Sequence, residues 1–217
     1  MLLSISACFQ LVIIIGAYYK WMPLIMSKPI GSKTVQKRPS GLYRLEFAPY
    51  TLPEDLPISI GAGRCVQRDA PITRLHLHNV LEIGYCYSGS GIFVIEDKVF
   101  PFRAGDLCVI NDREMHLAQS AQGTMSEWTF MMVDPRGLLG PHVEEPEFLG
   151  ISPLGGPEFR NMLRGPEHAE TARLVLDVIR ELKDEKPGFR AAVRALVWAI
   201  MVSLHRAAGR AGAGCVM

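Results

Sequence analysis

The sequence predicts a mainly β domain, a barrel or sandwich of short strands, followed by an antiparallel pair of C-terminal helices. Three observations predict it. Between Ile58 and Val133 short apolar stretches alternate with turn signals at close spacing, the pattern of a many-stranded β-fold. From Glu167 onward the apolar residues recur at helical spacing instead. The 20 glycines and 15 prolines among 217 residues suit a turn-dense fold better than a helical bundle.

Taken in order, residues 1–25 form a hydrophobic leader, uncharged from Met1 to Tyr19. At about 1.5 Å per residue such a helix nearly spans a hydrocarbon core of roughly 30 Å. No Lys or Arg precedes the apolar run, as a secretory signal requires. Lys20, Lys28 and Lys33 follow it, which by the positive-inside rule leaves the rest of the chain in the cytoplasm. Met22 and Met26 offer later starts, so the leader reads as an upstream extension of the frame or as an anchor. Membrane contact is expected only if residues 1–19 are that anchor. Residues 26–57 are polar, basic and proline-punctuated, and read as an extended arm with little fixed structure.

Residues 58–135 read as the β-barrel. Its apolar stretches are Leu75–Tyr87, Ile92–Ile95, Val99–Phe102, Leu107–Ile110, His116–Gln119 and Trp128–Val133. Between them lie turn-formers such as Ser88-Gly89-Ser90-Gly91, Glu96-Asp97-Lys98 and Asn111-Asp112-Arg113. Residues 136–166 are a glycine- and proline-rich linker with a helical turn placed near Phe159–Leu163. In 167–208, Leu174, Val175, Val178, Ile179 and Leu182 share one helical face, and Phe189, Val193, Leu196, Val197, Ile200 and Leu204 share another. Pro187-Gly188 separates the two. The stripes must pack on the β-domain, on a second subunit, or on both. Residues 209–217 read as a frayed tail.

Composition narrows the function. Twenty-three Lys+Arg against 22 Asp+Glu give a formal charge of +1, where a chain built to coat nucleic acid carries a basic excess. Five scattered cysteines with no Cys-x-x-Cys pair suggest neither a disulfide framework nor a zinc ribbon. They fit a reducing cytoplasm. Ser88-Gly89-Ser90-Gly91 opens no helix, so it is not a phosphate loop, and no Gly-x-Ser-x-Gly elbow supports a hydrolase triad.

The sharpest feature is His76-x-His78-x-x-x-Glu82. On one strand, His76, His78, Glu82 and Cys86 share parity and point into one cavity, while Leu75, Leu77, Leu81 and Ile83 face the other way. His116 adds a third imidazole from a facing strand. Three imidazoles and a carboxylate make a ligand set for Zn, Fe, Mn, Ni or Cu, with open positions for a small molecule. The same groups equally make a metal-free pocket that hydrogen-bonds a ligand. Arg74 has inward parity too, as a clamp for a carboxylate or sugar hydroxyl or as a solvated strand end. Cys86 is a pocket wall or an inert buried thiol. Trp128 stacks on a sugar face or packs the core.

His76-x-His78-x-x-x-Glu82 followed by Gly89 resembles the first cupin motif, and Gly105-Asp106 through His116 resembles the second. Ala70 stands where that family usually has glycine, and Asn111-Asp112-Arg113 where it has a Pro/Gly turn. A narrower likeness is carried by Leu81-Glu82-Ile83-Gly84-Tyr85, Ser88-Gly89-Ser90-Gly91 and Gly105-Asp106-Leu107-Cys108-Val109-Ile110-Asn111 with His116. It resembles the N-terminal sensor domain of AraC-type transcription regulators. That likeness implies a cupin jelly roll that binds a sugar-like effector near His76, His78, Glu82 and His116, with Arg74, Cys86 and Trp128 as further candidates. It implies no catalytic residue and no cofactor, an arm at 26–57 that closes over the effector, and a homodimer through the 167–208 helices. In that family two helix-turn-helix units follow to grip DNA; they need about 100 residues, and ten follow Ala207. Specific DNA binding by this chain alone is therefore not expected. The alternative is a metal-dependent cupin enzyme, a dioxygenase or sugar isomerase.

Overall fold

The computed structural model describes residues 44–61, 63–140 and 143–213. The leader, arm residues 26–43 and tail residues 214–217 lie outside the described residues. The described residues form eleven strands, ten of them before the first helix: β1 (Arg44–Phe47), β2 (Ile58–Ile60), β3 (Cys65–Arg68), β4 (Arg74–Leu77), β5 (Leu81–Ser88), β6 (Ser90–Ile95), β7 (Lys98–Arg103), β8 (Leu107–Ile110), β9 (His116–Ser120), β10 (Met125–Val133) and, after helix α1 (Pro135–Leu139), β11 (Met162–Leu163). Helices α2 (Ala169–Asp184) and α3 (Phe189–Ala213) end the described chain.

The strands form two sheets. One runs β1-β4-β9-β6-β7; the other runs β11-β8-β5-β10-β2, with β3 also paired to β10. Turn chemistry sets the crossings. Gly89, at φ 85, turns β5 into β6, and a Cβ there would collide with the Met125 carbonyl. Glu96, at φ 54, tightens the β6–β7 hairpin between Ile95 and Lys98.

Alternation along the strands separates two cores. Cys86, Phe93, Ile95, Phe102, Cys108, Ile110 and Trp128 fill the space between the sheets. Leu81, Ile83, Leu107, Val109, Met131 and Val133 cover the outer face of the second sheet, where they meet Val175, Val178, Ile179, Val193, Val197, Ile200 and Met201 of the helices. Each such aliphatic contributes about 1.5–3 kcal/mol of burial before entropy is counted.

The helices pack antiparallel, since Thr171 Oγ1 near the start of α2 lies 2.6 Å from Ser203 Oγ late in α3. Glu185, left-handed at φ 48, closes α2 by donating its N–H to Glu181 O. By length and composition α3 is apolar enough to cross a membrane. However, Val193, Val197, Ile200, Met201 and Leu204 are each at most 1% exposed within this fold.

Four local expectations are corrected. Arg44–Phe47 of the arm form a strand: β1 pairs in parallel with β4, Arg44 opposite Arg74. The stretch Leu75–Tyr87 is two strands, with a corner at His78–Val80 that carries the chain from one sheet to the other. The expected helical turn near Phe159–Leu163 is instead β11, which gains its ladder from β8 (Met162 opposite Cys108). Finally, α3 continues to Ala213, into the expected tail.

Candidate ligand and metal site

The corner changes how the site assembles. His76 lies on β4 and His116 directly opposite it on β9, both in the first sheet. Glu82 lies on β5 in the second sheet, opposite Ile110 and Met132. His78 sits at the turn between them. One strand's parity is thus not what gathers the four; the seam between the sheets is.

The convergence is close. The ligand atoms of His76, His78 and His116 all lie within 4.8 Å of one another. Glu82 Oε2 is 3.0 Å from His78 Nε2 and 3.6 Å from His116 Nε2. At 3.6 Å the second contact is electrostatic rather than a hydrogen bond, so His116 Nε2 is buried without a partner. His78 Nδ1 faces Ala48 O at 2.8 Å and His116 Nδ1 faces Glu114 O at 2.8 Å. A carbonyl only accepts, so both Nδ1 atoms carry the proton. His78 Nε2, 3.0 Å from a Glu82 carboxylate that only accepts when ionised, donates to it in the charged ring.

Protonation follows from these contacts. Burial, together with the neighbouring His116 and His78 rings, pushes His76 down to about 4. Burial alone would also lower His78, but its contacts to Glu82 and Ala48 O outweigh that and hold it above 6.5. Burial raises the Glu82 carboxyl, yet His116 and His78 outweigh it and hold it at about 2. An ionised carboxylate thus faces imidazoles whose outer nitrogens are anchored on carbonyls, the usual support of metal-bound histidine. The three imidazoles lie close enough together to hold a divalent cation, with the Glu82 carboxylate beside His78 and His116.

The four open onto a cavity of about 350 Å³. Its wall also holds Tyr50, Gln67, Cys65, Phe93, Phe130 and Met132. Tyr50 arrives from the arm, its backbone held by Asn79 through Tyr50 N to Oδ1 (2.7 Å) and Nδ2 to Tyr50 O (3.1 Å). Sequence reading missed these wall residues. Phe130 and Met132 shared Trp128's parity on a recognised strand, which was a usable signal; nothing local marked Tyr50.

The structure does not bring the other three candidates to the cavity wall. Arg74 lies outside, its side chain 61% exposed and paired with Glu46 at 3.0 Å. Its neighbour on the parallel strand supplies the carboxylate, so the inward clamp is corrected. Trp128 is 0% exposed and stacks on Phe130 and edge-on to Phe93 and Phe102, with Nε1 donating to Ser126 Oγ at 3.0 Å. Cys86 is 0% exposed in the same core, its thiol pushed up to about 12 by burial and Asp106.

Two facing sheets with an imidazole–carboxylate quartet at their seam define a cupin-type barrel. The chain belongs to the AraC-like ligand binding domain family, whose model matches residues 67–201. No curated protein matches. Solved structures with partial similarity include a predicted oxalate decarboxylase from Thermotoga maritima, 28% identical over 32% of this chain and 62% of that one, TM-score 0.30. Another is a cupin protein from Bacteroides fragilis, 22% identical over 35% and 63%, TM-score 0.30. A third is a cupin 2 conserved barrel domain protein from Salinispora arenicola, 19% identical over 38% and 68%, TM-score 0.34. The chain spans about three fifths of the length of the first two. At such TM-scores nothing about activity follows from them.

Proposed function

We propose that this chain is a small-molecule sensing domain whose effector enters the cavity beside His76, His78, Glu82 and His116. The observation that carries the reading is the convergence of those four groups, with a buried and unpartnered His116 Nε2, on a cavity of about 350 Å³. That volume lies at the small end of ligand pockets. Family membership supports binding rather than catalysis as the primary role. Tyr50 and Gln67 offer hydrogen bonds, while Phe93 and Phe130 offer faces, a mixture suited to a small sugar-like effector. A divalent cation on the quartet would supply a Lewis acid and template for the effector's oxygens. We place the domain in the cytoplasm, in keeping with the free thiols of Cys65, Cys86 and Cys108. We assign homodimerisation to the helices, where Leu174, Leu196 and Trp198 keep part of their surface exposed. A formal charge of +1 carries no basic excess, and we expect no specific DNA binding by this chain alone.

Calorimetric titration with Ni²⁺ or Zn²⁺ and a panel of free sugars, on the purified chain and on His76→Ala, tests the reading. Saturable binding abolished in the variant supports it; no binding of any probe overturns it. The carbonyl-anchored imidazoles favour one second reading, a metal-dependent cupin enzyme of dioxygenase or isomerase type. Turnover by the metal-loaded chain would establish that reading, and a metal-free chain that binds a sugar would sink it.

A further inference from the structure

A second buried polar cluster lies behind the cavity, outside the quartet. The Glu114 carboxylate is 7% exposed. It accepts from Asn111 N at 2.9 Å, Asn161 Nδ2 at 2.8 Å and Gly156 N at 3.1 Å, with Lys98 Nζ 3.9 Å away. Lys98 Nζ in turn donates to Gly156 O at 2.6 Å and to Asn161 Oδ1 at 2.5 Å. Asn111 Nδ2 donates to Ile151 O at 2.9 Å. One turn of five residues, 111–115, thereby grips the linker at three separate points.

The same turn grips the site. Glu114 O accepts from His116 Nδ1, and Arg113, left-handed at φ 61, donates its N–H to His78 O at 2.7 Å. A non-glycine residue holds that conformation only where its surroundings enforce it. On its far side the linker meets α3. His205 Nε2 lies 2.8 Å from Gly150 O, and Phe148 packs edge-on against His205 and Trp198. A continuous path of hydrogen bonds and packed rings therefore runs from the His116 imidazole and the His78 backbone carbonyl to the last helix. Another attachment of the linker, Arg164 to Asp106 at 2.7 Å, involves none of the site residues.

We propose that the 111–115 turn transmits occupancy of the cavity to the 150–161 linker and α3, with Glu114 as the positioning residue. This rests on the reading of the cavity as a ligand site. Binding that moves or stiffens His116 must act on Glu114 O. The residue that carries this oxygen also carries the carboxylate that gathers Asn161 and Gly156. Linkage makes the effect reciprocal, so disturbing the linker must change the site.

Two variants outside the cavity wall test this in the full chain. Glu114→Gln keeps the carbonyl under His116 but loses the charge that gathers the linker donors. Gly155→Ala is compatible with its extended backbone (φ −155), yet its Cβ would meet Asn111 Nδ2 at 2.7 Å and Glu114 Oε1 at 3.1 Å. Each is expected to shift the ¹⁵N imidazole signals of His116 and to weaken Ni²⁺ binding about 10-fold. Arg164→Ala is expected to leave the His116 signals in place. In the unsubstituted chain, Ni²⁺ is expected to slow amide exchange across 150–161. Unchanged His116 signals in Gly155→Ala overturn the proposal, even if Glu114→Gln does not fold. Shifted signals without Ni²⁺ binding keep the coupling and remove the metal reading instead.

Discussion

His78 has both ring nitrogens opposite oxygens, Ala48 O and Glu82 Oε2, so its charged form is the favoured one. Its stabilising contribution is complete below pH 6.5 and fades as pH rises through its raised value. His76 behaves oppositely. Held at about 4 in the fold and returning to 6.5 on unfolding, it makes the unfolded chain bind the extra proton between those values. Glu82, held at about 2 against 4.5, loses its contribution only in stronger acid. The metal-free chain should therefore lose melting temperature as pH falls from about 6.5 toward 4, and His76→Gln should flatten that decline. An equal decline in the variant would place its origin elsewhere. Trp128 yields a second prediction. With its indole enclosed by Phe93, Phe102 and Phe130, Trp128→Phe should cost about 1–3 kcal/mol in denaturant unfolding and leave Ni²⁺ affinity unchanged. Loss of binding without loss of stability would return Trp128 to the cavity.

β1 is held to the barrel by its parallel ladder with β4 and, just beyond it, by the two Asn79–Tyr50 bonds. At about 0.5–1.5 kcal/mol net per hydrogen bond, Asn79→Ala should free residues 48–50 while the sheets stay intact. Faster amide exchange confined to that segment is the expected result, and unchanged exchange there would show that the ladder and the His78–Ala48 bond hold it without Asn79. Elements differ in how plainly the sequence announces them. Leu107–Ile110 is legible to its exact bounds, because Gly105-Asp106 and Asn111 punctuate a wholly apolar run. The corner at His78–Val80 is invisible, because no glycine or proline marks it and the alternation runs on through it. Met162–Leu163 is a strand only because β8 lies beside it. The quartet's membership is readable from residue types and spacing, but its geometry depends on which sheet each strand joins. Tyr50 reaches the wall through a partner 29 residues away, a contact no local pattern encodes.

At the scale of the molecule, the outer face of the second sheet and both helices share one core. Barrel and helices should unfold together. Ile200→Ala, at a position 0% exposed, should cost about 2–5 kcal/mol and raise amide exchange in β5 and α2 alike. Exchange raised in the helices alone would make them a separate unit. The seam at the quartet has a consequence of another kind. His76 and His116 belong to one sheet and Glu82 to the other, so whatever these side chains jointly hold is a rivet through both layers. Such a rivet slows the parting of the layers, and with it the exposure of cleavable backbone. Turnover of a protein in a cell tracks that exposure. The concentration of the effector would then set how long each copy survives as well as what state it adopts, and the riveted copies would accumulate.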